Sequence, residues 1–168
     1  STKPFGFMPF TPGLGVGGHC IPVNPYYLLK DFHLPVLETS TKLMESRPII
    51  KAQGLLKNHP NAQNILVVGI AFKKGESIID HSPGFALYKE VLKTKHVQVY
   101  DPLVQEHYKT NLQGVSHQTK LDDISFLSPK EFTLQCLNEF DLIIVNHASN
   151  EALRVLQECK SKVIYTSN

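Results

Sequence analysis

Four short apolar runs divide the second part of this chain, and polar or helix-like stretches separate them. The runs cover residues 65–68, 97–100, 142–145 and 163–165. Short continuous runs of this kind are typical of parallel strands that are covered on both faces. Their alternation with helical patterns predicts an α/β fold, a Rossmann-like open parallel sheet of four or more strands.

Helix signals lie between these runs. Ser82 followed by Pro83 is a good helix start, since proline is favoured at the first helical position. Ser128, with Pro129 next and Glu131 three residues on, predicts the capped start of another helix. Two further helices are expected from the spacing of apolar residues. With the helix that follows Ser128, three helices are thus predicted after the one that starts at Pro83. They cover residues 103–109, 132–137 and 150–159.

The first 60 residues carry helical spacing instead of strand signals. A helix is predicted from Pro25, and a second one through residues 37–56, where Pro48 should kink or restart it. The apolar positions of the second helix either pack in a core or form a homodimer interface. A polar break at residues 59–63 separates two predicted domains, 1–60 and 61–168.

Composition and charge restrict the class of protein. Hydrophobic residues make up 42% and charged residues 19%, as in an ordinary globular chain, and the net charge of +2 is too small to indicate nucleic-acid binding. No apolar run approaches the ~20 residues of a membrane span. Cys20, Cys136 and Cys159 form no CxxC pair, which argues against a metal site and favours a reducing, cytoplasmic setting.

A glycine-rich segment leads directly to a cysteine. The glycines are Gly13, Gly15, Gly17 and Gly18, and Cys20 follows. Asn24 is predicted to cap the next helix, with Pro25 as its first residue. A cysteine just before a helix N-terminus favours the thiolate form, so Cys20 is a candidate nucleophile. The alternative is a small buried residue beside a glycine turn.

Candidate ligand contacts follow the predicted strands, because ligands of such sheets bind at the carboxyl ends. The first strand leads to Phe72 and Lys73, which either hold a base and a phosphate or form a solvated loop. Asp101 follows the second strand and has the simpler interpretation of capping the next turn. No GxGxxG follows the first strand, so a dinucleotide is not expected here. Phe10 either packs the N-terminal loop or lines a site for a base or sugar.

These motifs together resemble one family. Residues 13–28, which contain His19-Cys20-Ile21-Pro22, closely resemble the active-site cysteine segment of the UDP-glucose/GDP-mannose dehydrogenase family, in the form of its UDP-N-acetylmannosamine and UDP-N-acetylglucosamine 6-dehydrogenase branch. Residues 65–73, 82–83, 100–102 and 141–147 resemble its C-terminal UDP-sugar-binding domain. The resemblance implies the C-terminal portion of such an enzyme, without its N-terminal NAD-binding domain.

The resemblance also implies roles for individual residues. Family members oxidise the C6 hydroxyl of a nucleotide sugar to a carboxylate with two NAD⁺. The position of Cys20 implies a catalytic cysteine that attacks the intermediate aldehyde and then carries a thioester. Gly13 and Gly17 would lie against the sugar and diphosphate, and Phe72 and Lys73 would reach the nucleotide sugar. Phe10 joins these residues as a substrate contact, and the long helix implies a dimer core.

Three departures from the family pattern keep an alternative open. Asn24 stands where the family has a catalytic aspartate, and an amide caps a helix but is no base. Asp80 and Ser167 stand where the family tends to have arginine. The alternative function is therefore a degenerate, inactive module that binds nucleotide sugar or forms a dimer.

Overall fold

Four parallel strands form the sheet of the described structure. The computed structural model describes residues 4–6, 13–110 and 124–166. Its elements in chain order are α1 (Asn24–Asp31), α2 (Pro35–Asn58), β1 (Asn64–Val68), α3 (Pro83–Leu92), β2 (His96–Tyr100), α4 (Pro102–Thr110), α5 (Leu134–Leu137), β3 (Leu142–Val145), α6 (Asn150–Glu158) and β4 (Lys162–Tyr165). None of the described helices is long and apolar enough to cross a membrane.

The strand order is β2-β1-β3-β4, with every neighbouring pair parallel. Val67 of β1 pairs with Val99 on one side and with Ile144 on the other. The chain thus builds outward from β1 in one direction to β2, and then returns to add β3 and β4 on the opposite side. The predicted Rossmann-like open parallel sheet is confirmed. A switch in strand order lies between β1 and β3.

Helices cover both faces of the sheet, which explains why its strands read as continuous apolar runs. On one face Ile65 and Val67 pack in a cluster that includes residues of α2 and α3. On the other face Leu66 and Val68 pack with Leu137 and other residues of the α5–α6 side. Burial of one such side chain contributes about 1.5–3 kcal/mol, so the two clusters together select this strand register.

Helix α2 packs across α3 and joins the first of these clusters through Ala52 and Leu55. It runs without interruption from Pro35 to Asn58 and contains Pro48. The sequence predicted a kink or a restart at Pro48; the restart is wrong, and the kink stays a prediction. Pro48 is buried, and Gly15 lies so close that a Cβ there would be 3.3 Å from Pro48 Cγ. Tertiary packing on this side compensates for the amide that proline lacks. The domain boundary after residue 60 stays a prediction.

The predicted Asn24 cap is wrong. Asn24 is the first residue of α1, and Val23 precedes it as a cap without a side-chain hydrogen bond. The Cys20 carbonyl accepts hydrogen bonds from the amides of Val23 (3.1 Å) and Asn24 (2.8 Å). A turn that starts at Cys20 therefore leads directly into the helix. Its carbonyl provides the hydrogen-bond acceptor for the Asn24 amide, which lies at the start of the helix.

Of the two serines predicted to cap helices, Ser82 is confirmed as a cap, and the prediction for Ser128 is wrong. Ser82 caps α3, since its Oγ accepts a hydrogen bond from the Phe85 amide. The Ser128 amide and Oγ both donate to the Glu131 carboxylate, at 2.9 and 2.6 Å, but within a turn. Helix α5 begins only at Leu134, where Thr133 supplies the cap. The local Ser–Glu pairing formed as expected, but the helix begins only after a further turn, at Leu134.

One carboxylate ties the first ends of β1 and β3 together. Asp141 Oδ2 accepts hydrogen bonds from the amides of Asn64 (2.9 Å) and Gln63 (2.8 Å). These amide bonds, that of Asn64 first, lower the pKa of the Asp141 carboxyl below its ordinary value. Because the folded pKa is depressed, the stabilisation is complete above the unfolded value of ~3.9 and is lost as pH falls through the folded pKa.

We expect Asp141→Ala to lower the melting temperature at pH 7 by a few degrees. The difference in melting temperature between this variant and the unmodified chain should decrease as pH falls below ~3.9, because protonation of Asp141 removes the charge that strengthens these hydrogen bonds. Thermal unfolding followed by circular dichroism between pH 7 and about pH 2.5 measures both quantities. Asp31→Ala, at an exposed aspartate of α1, is the control and should change neither. A gap that is constant with pH would contradict the electrostatic account.

Candidate functional site

Cys20 lies in an exposed turn directly before α1. Its thiol is exposed, which excludes the alternative of a small buried residue beside the glycines. Because the Cys20 carbonyl accepts the Asn24 amide, the two residues belong to the same turn. The structure thus places Asn24 beside Cys20, and a molecule from solvent can reach the sulfur. The catalytic roles of both residues stay predictions.

The glycines before Cys20 are required by the chain's own packing. A Cβ at Gly17 would lie 2.7 Å from Pro83 Cδ and 3.0 Å from Phe72 Cβ. Gly18 has φ +91°, a conformation that residues with a side chain rarely adopt, and it faces the Phe72 ring. Gly13 differs, since a Cβ there would meet nothing within 4 Å. The packing of Gly17 against Pro83 and Phe72 therefore explains the need for glycine at this position without a ligand.

Phe72 brings the loop after β1 against this segment. Its ring meets the His19 ring edge-on, with centroids 6.4 Å apart and an interplanar angle of 82°. The Phe72 amide donates to the Ile78 carbonyl at 3.0 Å and closes the loop. Lys73 follows and is exposed, with no described hydrogen bond or ion pair at its ammonium group. The structure thus brings Phe72 together with Gly17 and His19 beside the Cys20 turn and leaves Lys73 exposed on the same loop, whereas Phe10 lies outside the described residues.

A groove of about 500 Å³ opens between the glycine segment, α2 and α3. His19, the neighbour of Cys20, lines one side of it. The opposing charged lining residues are Glu45, Asp80 and Lys89. Glu45 also accepts a hydrogen bond of 2.6 Å from the Tyr26 hydroxyl, which raises the pKa of Tyr26. Asp80 is thus placed on a wall of the groove, while Lys73 is not part of its lining.

Sequence reasoning missed the residues that hold the glycine segment in place. Arg47 Nε donates to the Gly13 carbonyl at 3.2 Å across 34 positions of sequence. Pro83, identified from the sequence as a helix start, also packs against Gly15 and Gly17. Glu45 was likewise not identified. These contacts join distant parts of the chain, so no local pattern could have shown them.

Polar groups at the carboxyl ends of the strands hold the loop that carries Phe72. Asp101 Oδ2 accepts hydrogen bonds from the amides of Ile70 (2.9 Å) and Ala71 (3.0 Å). Its Oδ1 accepts the amide of Val104 at 3.3 Å, which confirms the expected cap of the next turn. His147 Nε2 lies 3.0 Å from the Ala71 carbonyl. Asp101 and His147 therefore act as supports for the loop.

Comparison with known proteins identifies what the segment is similar to. Residues 1–47 match the family model of the UDP-glucose/GDP-mannose dehydrogenase family, central domain. A UDP-N-acetyl-D-mannosamine dehydrogenase of Pyrococcus horikoshii is 36% identical over 108 residues, 56% of this chain and 25% of the relative. A UDP-N-acetyl-D-glucosamine 6-dehydrogenase of Pseudomonas aeruginosa is 27% identical over 124 residues, 67% of this chain and 29% of the relative. The matches thus span about a quarter of the length of these curated relatives.

Solved structures with the same fold belong to related enzymes. A ternary complex of GDP-mannose dehydrogenase from Pseudomonas aeruginosa superposes with a TM-score of 0.74 at 18% identity, covering 92% of this chain and 37% of that one. A UDP-D-ManNAc dehydrogenase of Pyrococcus horikoshii gives a TM-score of 0.64 at 23% identity, covering 95% and 36%. At these identities the likeness supports the fold, and it confirms the α/β architecture predicted from the sequence.

We expect Gly17→Ala to destabilise the chain by about 1–3 kcal/mol, the usual cost of forcing an extra methyl group into a packed site. The new methyl would overlap Pro83. Gly13→Ala is the matched control, since its Cβ meets open space and the change should be neutral or stabilising by ~0.4–1 kcal/mol. Urea unfolding measures both. Equal effects of the two substitutions would show that the glycine segment is not packed as described.

Proposed function

We propose, from the match of residues 1–47 to the UDP-glucose/GDP-mannose dehydrogenase family and from the similarity to its curated relatives, that this chain supplies the cysteine and the sugar-nucleotide contacts of an NAD-dependent UDP-sugar 6-dehydrogenase. The substrate class is a UDP-N-acetylhexosamine or UDP-glucose, as in the names of its relatives. The observation that carries the proposal is the packing of Phe72 against Gly17, Gly18 and His19, directly before the exposed Cys20, with the exposed Lys73 next to Phe72 in the chain.

Cys20 is the proposed nucleophile. Its thiolate adds to the carbonyl carbon of a C6 aldehyde, and the carbonyl oxygen takes up a proton, which gives a thiohemiacetal. When bound, NAD⁺ would supply the oxidation of the C6 carbon. Water then hydrolyses the resulting thioester to the carboxylate and returns the thiol. A thiol suits both steps because it is a strong nucleophile near neutral pH and a good leaving group.

The substrate contacts follow from the loop after β1. Lys73 is proposed to hold the diphosphate, since an ammonium group is a compact point charge for phosphate oxygens. Phe72 contributes an apolar surface for the sugar or base, and Gly13 and Gly17 border the same ligand through their backbone. We assign Phe10 to the same site from the resemblance alone. The ligand would thus lie against the loop that Asp101 and His147 support.

Asn24 sets the proposed chemistry apart from a general-base mechanism. Its carboxamide cannot accept a proton at neutral pH, whereas a positioned base usually contributes ~10²–10⁴-fold. Because Asn24 shares a turn with Cys20, it can hold a water molecule by hydrogen bonds near the sulfur. We therefore propose that Asn24 orients the hydrolytic water, and that thioester hydrolysis is the slow step.

The described sheet does not itself fit NAD. The amides of Ile70 and Ala71, which follow β1 and could face a diphosphate, already donate to Asp101. No glycine-rich phosphate loop stands at this point. NAD would thus be bound by residues outside the described sheet.

A second candidate is a module that binds nucleotide sugar or forms a dimer without turnover. Two observations favour it. Asn24 lacks a basic group, and Asp80 places a carboxylate on the groove next to His19. The two candidates share the ligand and differ in whether a bond forms at Cys20.

A homodimer is proposed for either candidate. Along α2 the side chains of Val36, Leu43 and Ile50 recur every seven residues and are 80%, 56% and 60% exposed. They lie on one side of the helix, away from its buried Ala52 and Leu55. An exposed apolar stripe of this length is typical of a protein–protein contact. We propose that a second copy of the chain covers it, in a two-fold arrangement.

The ligand assignment predicts protection of Cys20. UDP-N-acetylmannosamine, UDP-N-acetylglucosamine or UDP-glucose should slow the reaction of Cys20 with iodoacetamide, measured by peptide mass spectrometry. Cys136 and Cys159 in the same sample are internal controls and should react at unchanged rates. Lys73→Ala should raise the UDP-sugar concentration needed for protection by about tenfold, the loss of one charged hydrogen bond.

Lys130→Ala, at an exposed lysine of the turn before α5, is the matched control and should leave protection unchanged. Equal alkylation of Cys20 with and without each UDP-sugar would contradict the proposed function. Protection without a covalent adduct, in a sample that also holds NAD⁺ and the rest of the enzyme, would favour the inactive module.

The dimer proposal predicts a monomer for Leu43→Glu, because a carboxylate in an apolar contact is costly to bury. Sedimentation at tens of micromolar, roughly the range of weak association, should show a dimer for the unmodified chain. Leu92→Glu, at a leucine of α3 that is 43% exposed, is the matched control and should remain a dimer. A monomeric unmodified chain would overturn the proposal.

A further inference from the structure

A second cavity lies at the carboxyl edge of the sheet, where the strand order switches between β1 and β3. Its volume is about 380 Å³, within the range of small-molecule sites. The ends of β1, β2 and β3 line it together with residues 74–76. The lining residues used below are Gly69, Lys74, Tyr100, Asp101, Leu103 and His147. Ligands of open α/β sheets bind in this crevice, yet the proposed Cys20 site does not include it.

The amides that could bind a phosphate in this cavity already donate to an acceptor of the protein. In a dinucleotide-binding domain the amides after the first strand point at the diphosphate. Here the amides of Ile70 and Ala71 donate to Asp101 Oδ2 at 2.9 and 3.0 Å. The carboxylate of the protein thus occupies the position that a ligand's anion would need.

The neighbouring helix N-termini offer no replacement. Helix α4, whose first residues line the cavity, begins with Pro102, which has no amide hydrogen, and its Val104 amide donates to Asp101 Oδ1 at 3.3 Å. Helix α6 is capped by Ser149, whose Oγ accepts the Ala152 amide, and Glu151 lies in its first turn. A negative ligand group would therefore lie near the Asp101 carboxylate at α4 and near the Glu151 carboxylate at α6, and both disfavour it.

The remaining groups suit a ribose and a base. Asp101 follows the second strand, where the acidic residue of a nucleotide-binding sheet accepts ribose hydroxyls. Its Oδ1 accepts one long bond of 3.3 Å, so it retains capacity for a hydroxyl donor. Tyr100 and Leu103 give the cavity a mostly apolar wall for a flat ring. Burial, with Asp101 nearby, raises the pKa of Tyr100, so its hydroxyl stays a neutral donor at pH 7.

We propose that this cavity binds a nucleoside, a base with its ribose and without phosphate. Lys74 Nζ donates to Asn150 Oδ1 at 3.1 Å and so links the loop after β1 to the start of α6 beside the cavity. Phe72 contacts the glycine segment before Cys20, whereas Lys74 and Gly75 line the cavity. The nucleoside site is therefore separate from the proposed sugar-nucleotide site.

Calorimetric titration of the chain tests the proposal with adenosine and uridine, their 5′-monophosphates and the free bases. Each nucleoside should bind about tenfold tighter than its monophosphate, because Asp101 fills the phosphate position, and about tenfold tighter than its base. Leu103→Ala should weaken nucleoside binding about tenfold. Leu92→Ala, at an equally exposed leucine of α3, should not change it. Both leucines are surface residues, so both variants should fold.

Cys20→Ala separates this site from the proposed function, because it should leave nucleoside binding unchanged. Three results would each overturn the proposal: monophosphates that bind as tightly as nucleosides, equal effects of Leu103→Ala and Leu92→Ala, or no nucleoside binding up to about 5 mM, the range of weak small-molecule affinity. Nucleoside binding in a chain whose Cys20 is not protected by UDP-sugars would support the cavity and refute the Cys20 site.

Discussion

The loop after β1 depends on the carboxylate of Asp101. Two amides of the loop and one of α4 donate to it, so a single buried side chain connects the carboxyl ends of β1 and β2. Ser82 adds a bond of 2.6 Å from its Oγ to the Ile70 carbonyl, and His147 contacts the Ala71 carbonyl. Hydrogen bonds to a charged acceptor contribute about 1.5–3 kcal/mol each. Without this carboxylate, two buried amides would be left without partners.

Two ligand surfaces follow from that one fixed loop. Its start presents Phe72 to the glycine segment, which in turn places His19 and Cys20. Its later residues, with Lys74, border the cavity over β1 and β3. The same hydrogen bonds that hold the first surface remove the phosphate position from the second. The two proposals thus place the sugar-nucleotide contacts on one side of the loop and a nucleoside on the other.

The sheet could be predicted from the sequence because its signal is local. Each strand is a segment of four or five residues that contains at least three apolar ones, and Ser82 with Pro83 marks the start of α3. Asn24 and Ser128 were assigned as caps by the same local reasoning, but backbone turns beginning at Cys20 and Ser128 used the amides differently. Pro48 was expected to kink or restart α2, but the helix continues through it, and Pro48 is buried close to Gly15. Local patterns fail where distant contacts decide the outcome.

The charges around Cys20 limit how a diphosphate can approach it. Glu45 and Asp80 both line the groove beside His19, and Lys89 alone cannot neutralise two carboxylates there. Two like charges 4 Å apart repel by about 1 kcal/mol in water and about 4 kcal/mol near a protein surface. The two carboxylates therefore disfavour a diphosphate in the groove, which agrees with the proposal that Lys73, outside its lining, holds the diphosphate. The sugar would then extend from Lys73 across Phe72 toward the sulfur, so that its neutral part, and not its phosphates, lies closest to Glu45 and Asp80.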